Sequence, residues 1–140
     1  MRYRRDYQET HDIDWFFRYK GKAYHAASNG GRLPDAVDSK KNRLLQEKLE
    51  DEIGGFEVIY EEGIREFYGQ GADLSSFEEY AKKGFISLDR CEVEEGEKND
   101  GLKYRVVVSP AEGSFNNEEM LKMMPELKEE IIEIVNNGNQ

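Results

Sequence analysis

Ile13, Trp15, Phe17 and Tyr19 alternate with Asp14, Phe16, Arg18 and Lys20, and no other feature constrains the fold as strongly. A period of two over seven residues is that of a β-strand with one face in the core. It fixes the pairing register, because a slip by one residue would turn the large rings to the opposite face. Lys20-Gly21 supplies a tight turn, and Lys22 to Ser28 can return as the second strand of a hairpin. Asn29-Gly30-Gly31 then tolerates positive φ, and Pro34 stops any continuation.

Downstream the period changes. Between Asp35 and Ile53, the residues Val37, Leu44, Leu45, Leu49 and Ile53 form a helical stripe, with Asp38 or Ser39 as cap and Gly54-Gly55 as stop. Phe56 to Tyr60 alternates, Glu61-Glu62-Gly63 reads as a turn, and Ile64 to Tyr68 reads as a return strand. Ser75 followed by Glu78 has the spacing of a capping box for a short helix closed by Gly84. Phe85 to Val93 and Leu102 to Ser109 read as a third pair of strands joined by a polar turn. Val106, Val107 and Val108 place apolar residues on both faces of the last strand, which marks it as central. Met120, Met123, Met124, Leu127, Ile131, Ile134 and Val135 make a final helical stripe, interrupted by Pro125, which either kinks one helix or separates two.

These elements predict an α+β fold: a mainly antiparallel sheet of about six strands in ββα-ββα-ββα order, with helices packed on one face. The expected organisation is a basic N-terminal arm over 1–11, a single domain over 12–136 and a flexible tail over 137–140. The open face of the sheet is expected to carry Arg18, Lys20, Glu57, Glu61, Lys103 and Arg105.

Charge narrows the partners. Residues 1–32 hold seven Lys/Arg against four acids, a net of +3, while the whole chain is −10, so the remainder carries −13. Such a body repels nucleic acid and anionic membrane at long range. No segment has the apolar length to span a bilayer and the N-terminus does not read as a signal peptide. A single cysteine, Cys91, leaves no intramolecular disulfide and fits a reducing compartment, so the expected location is the cytoplasm.

Chemical motifs are sparse. Two histidines and one cysteine do not make a common zinc set, and His11-Asp12-Ile13-Asp14 would point its ligands to opposite sides of a strand. Cys91 lies among Glu92, Glu94 and Glu95, which oppose a thiolate. No glycine-rich phosphate loop and no nucleophile elbow is present, and no cofactor is implied. The leading expectation is a non-catalytic protein that binds a protein partner or itself. Its low-lying surface candidates are Phe16, Arg18, Lys20, Tyr24 and His25, where an outward aromatic sits among basic residues. A Met120, Met123, Met124 groove is a second binding candidate, against a core role for the same residues. One alternative is an acidic inhibitor of a basic protein, of immunity, anti-defence or nucleic-acid-mimic type, using carboxylates such as Glu92, Glu94, Glu95, Glu97, Asp100, Glu118 and Glu119. The other is an enzyme with a site beside the first hairpin, built from His25, Asp14, Tyr24, Asp89 and Arg90.

Overall fold

The computed structural model describes residues 1–92 and 102–136. The chain runs α1 (Arg5–Thr10), β1 (Asp14–Tyr19), β2 (Lys22–Ala27), α2 (Ser39–Glu50), β3 (Val58–Tyr60), α3 (Ile64–Tyr68), α4 (Ser75–Lys82), β4 (Ile86–Arg90), β5 (Lys103–Pro110), α5 (Glu118–Leu121) and β6 (Glu133–Val135). It is an α+β fold with a six-stranded sheet in the order β1-β2-β4-β5-β3, and β6 also pairs with β5.

The first hairpin forms as its alternation demands. Lys20 and Gly21 take φ of 49° and 79°, the left-handed pair that a two-residue hairpin turn needs. Trp15 faces Ala26 and Phe17 faces Tyr24, while Phe16 faces His25 across the ladder. The sheet is mixed rather than mainly antiparallel: β2 runs parallel to β4, and β5 parallel to β6. The parallel pairing arises because the chain leaves β2, crosses through α2, β3, α3 and α4, and returns as β4 beside it. β5 is central, as its valines imply, and its outer edge is shared: β3 takes Val108 to Pro110 and β6 takes Lys103 to Arg105.

Both faces of the sheet are covered. On one, Phe16, Ala23 and Phe85 pack against Leu45 and Leu49 of α2, and Val107 and Val108 against Ile64 of α3 and Ala81 of α4. A bulge between Ser87 and Leu88 pairings lets Val107 and Val108 serve the same cluster. On the other face, Trp15, Phe17, Ala26, Leu88, Tyr104 and Val106 are covered by irregular chain: Tyr3, Leu33, Val37, Leu127 and Ile132.

Several expectations are corrected. Ile64 to Tyr68 is a helix, because Gly63 at φ 80° turns the chain out of β3 and Ile64 and Tyr68, four residues apart, share one helical side against the sheet. Among the described residues no long terminal helix forms; the region holds only the short α5. Pro125 lacks the donor a helix needs, and its carbonyl instead accepts the Arg18 amide at 2.8 Å. Beyond it the chain turns at 129–131 and pairs as β6, with Leu127 and Ile132 buried on the sheet and Ile131 exposed. In α2 only Leu45 and Leu49 of the stripe are buried; Leu44 and Ile53 are exposed. Asp38 does cap it, its carboxylate accepting from Lys41 N–H at 3.0 Å. Ser75 makes no capping box: its own amide donates to Asp73, and Glu78 instead accepts from the Tyr60 hydroxyl. Residues 1–11 contain a helix and send Tyr3 into the core. The polar turn before Leu102 and the tail at 137–140 lie outside the described residues.

Candidate functional site

The five surface candidates do not form one site. Phe16 is fully buried, its ring 5.3 Å from Tyr80 and 5.5 Å from Phe85, because α2 and α4 cover the face it points to. The proposed outward aromatic is therefore a core residue. His25, its cross-strand neighbour, is also fully buried. Tyr24 lies on the opposite face, stacked on Phe17 at 5.0 Å. Arg18 is tied to Glu126 and to the Met124 carbonyl, and Lys20 to Glu129, so both fasten the 124–129 segment along β1. That segment also covers the free edge of β1, with Leu127 N–H donating to Arg18 O. Arg105, expected on an open face, is buried beneath the Phe67 ring at 4.2 Å.

The residues suspected of catalysis are divided by the sheet. Asp14, His25 and Asp89 share one face, whereas Tyr24 and Arg90 share the other. His25 does sit in a row of hydrogen bonds. Its Nε2 meets Asp14 Oδ1 at 2.8 Å, its Nδ1 meets Ser87 Oγ at 3.2 Å, and Ser87 Oγ donates to Phe77 O at 2.8 Å. Sequence reading missed Ser87, because only the parallel β2–β4 pairing brings it beside His25. The row has the residue types of a hydrolytic triad in the wrong arrangement. The serine hydroxyl is engaged by a backbone carbonyl, Phe77 O, which lies nearer to it than the imidazole does. Tyr80 stacks on the ring at 4.1 Å, and both His25 and Ser87 are closed to solvent. The row therefore satisfies buried polar groups.

Asp89 is held in the same interior. Burial pushes its carboxyl up from the ordinary range, against the Tyr68 hydroxyl that donates to it and the positive charge of Arg105. Cys91 is buried, and burial raises its thiol. Met124 is in the core, with Met120 and Met123 packed against the same cluster, so the methionines fill space there. His11 stacks on Tyr7 at 3.8 Å and Asp12 accepts from the Asn29 amide. Among the described residues no group of three or more His, Cys, Asp or Glu side chains is placed to hold a metal.

What the fold does assemble is a pair of adjoining cavities in the irregular layer over the Trp15 face. The first, of about 520 Å³, has walls from Leu33, Pro34, Ala36, Leu102, Leu127 and Ile131, with Arg32, Asp35, Glu126 and Lys128 at its polar positions. The second, of about 480 Å³, is lined by Arg2, Arg4, Arg5 and Arg32, together with Tyr3, Gln8 and Asp35. Arg32, Leu33, Pro34 and Asp35 line both, so this strip is their common wall. It is positioned at one end by the Asn29-Gly30 turn, whose φ angles are 48° and 78°, and at the other by α2. The Arg90 side chain lies against Gly31, where an added Cβ would displace its guanidinium end. Comparison with known proteins finds no matching family, no matching characterised sequence and no matching solved structure.

The charge pattern of the sequence carried the signal for this site. The one net-basic stretch contains all four arginines of the second cavity. Their convergence could not be read from the chain, because it needs the arm to fold back onto the 32–35 strip.

Proposed function

We propose that this protein is a non-catalytic binding protein that docks a segment of a protein partner across the 32–35 strip. The observation that carries the reading is the pairing of an apolar cavity with an arginine-lined one on a shared wall. Apolar anchorage beside a charged subsite is how a groove selects one short segment over others. A segment with an apolar side chain followed by acidic groups matches this surface. The rest of the chain, strongly acidic, would repel it elsewhere.

Among the described residues no helix is long and apolar enough to cross a membrane. Exposed Glu118, Glu119, Glu130 and Glu133 support the alternative reading, an acidic inhibitor whose partner is basic.

The test is crosslinked capture from the native cell with the wild-type chain and two variants. Ile131→Arg alters an exposed wall of the apolar cavity, and Ile53→Arg alters an exposed residue outside both cavities. The reading expects an acidic protein retained by wild type and Ile53→Arg and lost by Ile131→Arg. A partner retained equally by all three contradicts it, and a basic partner released by salt favours the inhibitor form.

A further inference from the structure

We infer that the arginine-lined cavity is a binding site for a phosphate group, carried either by a small metabolite or by a phosphorylated side chain of the docked partner. The inference deepens the docking reading and rests on it for the second source. The cavity wall has four guanidinium groups and one carboxylate, a net of +3. Guanidinium is the side chain whose planar donors match phosphate oxygens two at a time. A phosphate monoester brings close to two negative charges and three acceptor oxygens. Such a dianion is able to exchange for the exposed carboxylates that already pair with Arg2, Arg4 and Arg5.

The groups come from both ends of the basic stretch. Arg2, Arg4 and Arg5 stand on the arm and Arg32 on the strip, and Gln8 holds arm and strip together. Arg2 already reaches across the cavity to Asp35 at 2.7 Å. That carboxylate occupies the place a ligand oxygen would take. Two further pairs, Arg4 with Asp6 and Arg5 with Glu9, are exposed at the rim, at 3.2 and 3.4 Å. Exposed pairs of this kind are weakly held and exchange readily for a stronger anion. Arg43 lies behind the wall, over the Tyr3 ring at 5.0 Å, and adds positive charge without lining the cavity.

Because Asp35 competes with the ligand for Arg2, removing each has an opposite effect. Titration calorimetry with inorganic pyrophosphate, and separately with a leucine-containing phosphoserine peptide and its unphosphorylated form, tests this. Arg5→Gln should weaken binding of the phosphorylated probe about tenfold, and Asp35→Asn should strengthen it severalfold. Lys22→Gln, the same charge change at the exposed start of β2 outside the cavity, should leave affinity unchanged. Tighter binding of the phosphopeptide assigns the group to a protein; tighter binding of pyrophosphate assigns it to a small molecule. Absence of binding by both phosphorylated probes overturns the inference, as does equal loss in Arg5→Gln and Lys22→Gln or weaker binding by Asp35→Asn. Capture that still depends on Ile131 would then show that the docking reading stands without it. Should Arg5→Gln fold poorly, the gain expected of Asp35→Asn still decides the matter.

Discussion

Gln8 Oε1 accepts the Leu33 amide proton at 2.7 Å, and Gln8 Nε2 donates to the Tyr3 carbonyl at 2.8 Å. One buried side chain thereby joins the arm to the strip that walls both cavities. Gln8→Leu would leave a buried N–H and a buried C=O without partners, costing about 3 kcal/mol. Urea unfolding should show this loss. Gln8→Glu should also destabilise, because it keeps the acceptor for Leu33 but presents an acceptor to the Tyr3 carbonyl.

The Asp14–His25–Ser87 row is hydrogen-bonded, with His25 and Ser87 fully buried, and its substitutions should act on stability. His25→Leu removes two hydrogen bonds and the polar stacking on Tyr80, for a loss of about 2 kcal/mol. Ser87→Ala should cost about 1 kcal/mol and leave phosphate and partner binding intact. Loss of binding by Ser87→Ala without loss of stability would assign the row a functional part.

Gly84 takes φ 109° where α4 turns into β4, and an added Cβ would lie 2.6 Å from the Phe115 amide nitrogen. Backbone cannot yield there as a flexible side chain could. Gly84→Ala combines that overlap with a left-handed backbone and should cost about 3 kcal/mol. Thermal unfolding of the variant checks it.

Asp89 gives the stability a pH dependence of definite sign. Burial raises its folded pKa above the unfolded value, so the folded state holds the proton more tightly. Its contribution is full below the unfolded carboxylate pKa and is lost as pH rises through the raised folded value. Asp89→Asn should remove that downward slope from the wild-type profile of stability against pH, measured by urea unfolding in steps above pH 4. An unchanged slope would mean that other groups produce it.

Local signals were legible where one short stretch decides the outcome. The first hairpin, its Lys20-Gly21 turn, the Asp38 cap, the Gly84 stop and the central position of β5 all follow from a few adjacent residues. Non-local competition decided the rest. Ile64 to Tyr68 is too short for its pattern to separate strand from helix, and contact with Val107 and Val108 settles it. The Met120 to Val135 stripe has helical spacing, yet Pro125 and the open edges of β1 and β5 draw it into extended chain. Phe16 shares its strand face with Asp14 and Arg18, so alternation alone points it outward, but α2 and α4 give the sheet a second apolar cover. No local pattern marks the first cavity, because its walls join the Arg32–Ala36 strip to Leu102 and to the 126–131 segment.

Amide chemical-shift mapping of the ¹⁵N-labelled protein during a pyrophosphate titration tests the central claim most directly. The account predicts saturable shifts concentrated at residues 2–8 and 32–37, abolished by Arg5→Gln. Shifts centred on other basic positions such as Lys22 or Lys103, or none at all, would contradict it.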